Sequence, residues 1–66
     1  MKFFLNGEAK QVQTPYSIQD LLVAMEIEGQ RLAVEVNEQI ITKSRHNEYF
    51  FKEADKVEIV HAIGGG

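Results

Sequence analysis

Apolar residues fall in short runs of period two, interrupted by one stretch of helical period. Residues 2–5 read Lys-Phe-Phe-Leu. Phe3 and Leu5 share one side of a strand and Phe4 takes the other. Asn6-Gly7 follows, a dipeptide suited to a type I′ hairpin turn because both central positions need positive φ. The return arm spans residues 8–13, with Val12 as its main apolar residue. Thr14-Pro15 breaks the run, since the residue before proline is pushed to extended geometry. Ser17 reads as a helix N-cap, and Asp20 three residues on completes a Ser-x-x-Asp capping pattern. Tyr16 and Leu21 stand at the positions of a hydrophobic staple. Ile18, Leu21, Leu22 and Met25 follow at i, i+3, i+4 and i+7, one face of a helix. The predicted helix runs over residues 18–28, roughly 16 Å, and Gly29 is placed to supply the left-handed residue that stops it.

Beyond the helix the period returns to two. Leu32, Val34 and Val36 alternate with Ala33, Glu35 and Asn37, a half-buried strand. Asn37-Glu38 turns the chain into a short strand at residues 39–41. Residues 42–48 have no apolar side chain and read as a loop. Tyr49-Phe50-Phe51 is strand-like, and residues 52–56 form a polar turn. The last strand, 57–63, places Val57, Ile59, His61 and Ile63 on one face and Glu58, Val60 and Ala62 on the other. The pattern predicts an α+β domain, one helix packed on one face of a mixed sheet. Phe3, Leu5, Leu32, Val34, Val57 and Ile59 would face Ile18, Leu22 and Met25. Phe4, Ala33, Val60 and Ala62 would lie on the uncovered face, where an exposed apolar group marks a partner interface. Glu35 and Glu58 on that face would steer toward a basic partner.

Composition narrows the chemistry. The chain has 66 residues, 44% of them hydrophobic, and a net charge of −3. This is one small domain, and a deep catalytic pocket would consume most of its core. The negative charge argues against nucleic acid as a partner. No apolar run approaches a membrane span, no signal peptide is visible, and a cytoplasmic location is expected. With zero cysteines, thiolate chemistry and disulfides are excluded. His46 and His61 are fifteen residues apart and read as satisfied or solvated side chains rather than catalytic ones. No clustered metal ligands occur, and no helix follows the terminal glycines to make a dinucleotide loop.

Gly64, Gly65 and Gly66 remain, at the end of the chain. The reading is a domain over residues 1–63 and a flexible glycine tail over 64–66. A tail without side chains can enter a channel too narrow for any Cβ and present the Gly66 carboxylate there. With Ala62 and Ile63 it reaches roughly 17 Å. A frayed or inert terminus explains the same residues, and the pattern alone leaves both readings open.

The matched segments carry a resemblance. Asn6-Gly7-Glu8, the run 17–22 (Ser-Ile-Gln-Asp-Leu-Leu), the run 33–37 (Ala-Val-Glu-Val-Asn) and above all residues 55–66 (Asp-Lys-Val-Glu-Ile-Val-His-Ala-Ile-Gly-Gly-Gly) resemble the ThiS family of sulfur carriers in thiamin biosynthesis, with its ubiquitin-like β-grasp fold. The family often has Gly where Ala54 stands, Pro-Arg where Thr42-Lys43 stands, and an aromatic residue near His46. The resemblance implies a protein co-substrate rather than an enzyme. An adenylating enzyme would use ATP and magnesium, neither bound by the carrier itself, to activate the Gly66 carboxylate. Sulfur from a donor such as a cysteine desulfurase would give a thiocarboxylate, and thiazole synthase would accept it. The small subunit of molybdopterin synthase shares this fold and tail, as do ubiquitin-like modifiers, and a binding module with an inert tail is a further alternative.

Overall fold

The computed structural model describes residues 1–61, and residues 62–66 lie outside the described part. Six elements follow in chain order: β1 (Lys2–Leu5), β2 (Glu8–Gln11), α1 (Ile18–Ala24), β3 (Leu32–Val36), β4 (Gln39–Ile41) and β5 (Lys56–His61). The strands form one mixed sheet in the order β2-β1-β5-β3-β4. Only β1 and β5 pair in parallel, and the other neighbours are antiparallel. The last strand of the sequence is thus the central strand of the sheet. The helix covers one face, as the two periodicities require.

Local chemistry sets the first half of the chain. Asn6 and Gly7 have φ of 48° and 88°, the geometry of the predicted turn. Ser17 Oγ accepts from Asp20 N–H at 3.0 Å, and Asp20 Oδ2 accepts from Ser17 N–H at 2.9 Å. The reciprocal capping box satisfies two N–H groups that a helix start would otherwise leave unpaired. Tyr16 packs against the core, its ring 6.3 Å from that of Phe3.

The helix ends earlier than its apolar spacing predicts. It stops at Ala24, not at residue 28, and the left-handed residue is Glu26 with φ 61°, not Gly29. Ile27 N–H donates to Leu22 C=O and Glu26 N–H to Val23 C=O, each at 3.0 Å. These two bonds make a Schellman motif, which folds the apolar residue after the left-handed one back on the helix. Burying Ile27 takes precedence over the free glycine. Met25 becomes the C-cap and is 40% exposed, so it leaves the predicted core. Gly29, φ 82°, serves the next turn instead, closed by Gln30 N–H on Ile27 C=O at 3.2 Å.

The core contains Phe3, Leu5, Val34, Val57 and Ile59 of the sheet under Ile18 and Leu22 of the helix, as the alternation predicts. Leu21, Val36, Ile41 and Phe51 join them, while Leu32 is only half-buried at the sheet end. Phe51 stacks on Phe3 with centroids 4.5 Å apart. Residues 49–51 are not a strand, however. Tyr49 and Phe51 turn inward and Phe50 outward as in a strand, but only a single bridge, Phe50 to Ser17, ties them to the helix start. The return arm β2 stops at Gln11, and Val12 packs on the core beyond it. The polar loop contains a short 3-10 turn, Lys43–Arg45, which delivers His46 to the interior.

Asp55 is buried and fully engaged. Its Oδ1 accepts from Asn37 Nδ2 at 2.9 Å, and its Oδ2 accepts from Tyr49 Oη at 3.0 Å and Lys52 N–H at 2.8 Å. Burial, the hydrogen bond to Asp55 and the charge of that carboxylate push the Tyr49 phenol up to about 12. Ala54, just before it, has φ 69°.

Two stability measurements follow. Leu22→Ala removes a side chain that is 4% exposed, and denaturant unfolding should show a loss of about 2–5 kcal/mol. Ala54→Gly should act in the opposite direction. A left-handed non-glycine residue costs roughly 1–2 kcal/mol, part of which glycine returns as chain entropy. The midpoint should rise by an equivalent of about 0.5–1 kcal/mol.

Candidate functional site

The predicted chemistry sits at the end of β5, so what holds that strand decides what the tail can do. Val57 and Ile59 anchor it in the core at 1% and 8% exposure. On one side β3 pairs with it from Val36–Val57 to Leu32–His61. On the other side β1 pairs only through Phe4–Lys56 and Leu5–Val57. The chain then turns away at Asn6, whose side-chain oxygen accepts from Ile59 N–H at 3.1 Å. Asn6 thereby both makes the hairpin turn and extends the support of β5. His61, the last described residue, is exposed and contacts Gln30 through Nε2 and Oε1 at 2.9 Å. Ala62, Gly64, Gly65 and Gly66 lie outside the described residues.

The sheet face away from the helix carries the other predicted residues. Val60 is 54% exposed and pairs directly with exposed Ala33. Phe4 shares this face from β1 and is half-buried, with Lys2 Nζ 5.6 Å above its ring. One residue was missed. Ile40, paired with Glu35, lies on the same face at 67% exposure. A three-residue strand cannot fix its own facing, so only the register of β3 reveals it. The same register sets Glu35 directly opposite Glu58. Like charges so placed repel. The one ion pair among the described residues, Lys10 Nζ to Glu8 Oε1 at 3.8 Å, is elsewhere.

The histidines do not meet. His46 is buried, its Nε2 3.0 Å from Ile41 C=O, so that nitrogen carries the proton and donates. His61 is at the sheet end. Among the described residues no group of three or more His, Asp or Glu side chains could hold a metal, and no helix is long and apolar enough to cross a membrane. What this geometry does is hold the last described strand between two neighbours, beside an apolar and acidic surface.

Known proteins share this arrangement. A family model described as the ThiS family matches residues 3–66. The sulfur carrier protein ThiS of Bacillus subtilis is 41% identical over 63 residues, which cover 94% of this chain and 96% of that one. A thiazole synthase of Magnetococcus marinus is 32% identical over 66 residues, and this chain spans only 20% of its length. The crystal structure of the thiamine biosynthesis protein ThiS from Geobacter metallireducens superposes with a TM-score of 0.83 and 25% identity, each chain covered completely.

The facing of β5 is open to a direct test. Val60→Asp places a charge on an exposed face and should shift stability by no more than about 0.5 kcal/mol. Ile59→Asp, one residue earlier, buries an unpaired carboxylate and should unfold the domain. Circular dichroism melts of the two variants check the register.

Proposed function

This chain belongs to the ThiS family, small sulfur carriers rather than catalysts, and we propose that it carries sulfur for thiamin biosynthesis as a thiocarboxylate on Gly66. The observation that supports this most is that the central strand of the sheet, β5, is followed in the sequence by Ala62-Ile63 and then Gly64-Gly65-Gly66. A carboxylate is a poor electrophile, because its charge repels nucleophiles and oxide is a poor leaving group. A partner adenylating enzyme with ATP and magnesium solves both problems. The carboxylate oxygen attacks the α-phosphorus, pyrophosphate leaves, and an acyl-adenylate remains. The terminal sulfur of a donor persulfide, such as that of a cysteine desulfurase, attacks the acyl carbon, and AMP departs with the bonding pair. A thiol then cleaves the S–S bond, leaving the thiocarboxylate on Gly66.

Thiazole synthase is the proposed acceptor. Two relatives of that name, from Magnetococcus marinus and Paramagnetospirillum magneticum, match the whole of this chain within a fifth of their own length. The partner interface is Phe4, Ala33 and Val60, with Ile40 beside them and Ala62 next along the chain. Exposed apolar side chains gathered on one face of a monomeric domain favour docking.

Incubation with the adenylating enzyme of the same organism, ATP, magnesium and a persulfide donor should exchange one oxygen for sulfur, read by intact mass. Gly65→Val should abolish that exchange, because a β-branched side chain on the residue next to the reacting carboxylate closes a narrow channel. Val60→Asp should fold and bind that enzyme weakly. An unchanged rate for Gly65→Val would mean that the tail is not threaded through a channel.

A further inference from the structure

The phase of the β3–β5 ladder fixes where each backbone group of β5 points. Asn37 N–H donates to Lys56 C=O at 2.7 Å, so this is a hydrogen-bonded pair. Such pairs recur at every second residue of an antiparallel ladder. In the observed register the next ones are Glu35–Glu58 and Ala33–Val60. The N–H and C=O of Val57, Ile59 and His61 therefore point away from β3, toward β1. Asn6 N–H takes Val57 C=O at 2.8 Å, and Asn6 Oδ1 takes Ile59 N–H. There β1 leaves for its turn. Ile59 C=O and His61 N–H come next, and among the described residues neither has a backbone partner on that side.

We propose that this short edge is a β-addition site, where an extended segment of the enzyme acting on the tail takes the place that β1 vacates beside Ile59–His61. The inference rests on the carrier reading above. Three features name the occupant. Gly66 is five residues beyond His61, within roughly 17 Å at full extension, so an enzyme that reaches its carboxylate comes within reach of this edge. A hollow of about 510 Å³ lined by Phe4, Asn6, Gly7, Lys56, Val57 and Glu58 opens on the outer face at the β1–β5 seam, and it ends at Asn6 and Glu58, where the open edge begins. An added strand turns alternate side chains toward that face, and the hollow seats one of them. A second copy of this chain fits less well, because each copy carries a net charge of −3 and like-charged partners repel.

Two substitutions at one position separate backbone from side chain. His61→Pro deletes an N–H that no described residue uses, at a position where a sheet tolerates proline. His61→Ala keeps the N–H. Both lose the contact with Gln30. Both should melt together, and calorimetric titration with the adenylating enzyme should show His61→Ala within about threefold of the parent and His61→Pro weaker by about tenfold or more. In the parent chain, amide exchange at His61 should slow in the complex. Equal binding by the two variants, or unchanged exchange at His61, overturns the proposal while leaving the carrier reading intact. A dimer of the free chain that His61→Pro dissolves would make a second copy the occupant and overturn it as well. Failure of the parent chain to bind the enzyme at all would overturn the carrier reading and the edge together.

Discussion

The buried carboxylate of Asp55 ties the turn after β3 to the connection that leads into β5. Asn37 comes from the β3–β4 turn, while Tyr49 and Lys52 come from the long connection into β5. The main-chain oxygen of Asp55 accepts from Phe4 N–H at 2.9 Å, which ties in β1. Asn37 in turn holds Lys56 through both its side chain and its backbone. A charge in the interior is tolerable only when its lone pairs are occupied. Once they are, the start of β5 is fixed against β1 and β3 at once. Everything downstream inherits that registration, including which side chains of β5 face the helix and which backbone groups lie open near His61.

That network was not legible in the sequence, where residues 52–56 read only as a polar turn. Asn37 is eighteen residues away from Asp55, and no period connects Asn37, Tyr49 and Lys52. Elements whose physics is local were legible. The Ser17–Asp20 box needs four consecutive residues, the Asn6-Gly7 turn two, and the alternation in β3 and β5 repeats often enough to set its own facing. Where two local rules competed, the sequence could mislead. Gly29 is the easier left-handed residue, yet Ile27 drives the chain into that conformation at Glu26 because an apolar side chain gains more from burial than glycine gains from freedom. The aromatic run 49–51 resembles a strand in composition, but it inserts Tyr49 and Phe51 under the sheet without making a ladder.

Ala54 shows how a departure from the family pattern acquires a cause. The position needs a left-handed backbone so that Asp55 can turn inward immediately after the loop. Glycine meets that need freely, and alanine meets it under strain. The candidate site divides in the same way. Phe4, Ala33 and Val60 follow from alternation alone. Ile40 and the open groups of Ile59 and His61 follow only from knowing where neighbouring strands begin and stop.

The uncovered face combines features that a free domain of this size has reason to avoid. It exposes Val60, Ile40 and part of Phe4, and it sets Glu35 against Glu58. Opposed carboxylates cost a fraction of a kcal/mol, roughly 0.2–1, in a domain whose total margin is small. The cost reverses when a basic surface covers the face, because both charges then gain opposite neighbours. Apolar contact, charge and an open strand edge meet along residues 58–61, the last described stretch of β5. In the proposed docking, attraction over that face would set the approach, since charges act at the longest range, and the backbone edge would set the angle. Hydrogen bonds suit that second role because they tolerate little misalignment. On the carrier reading, the strand that precedes the glycines is then what would aim them.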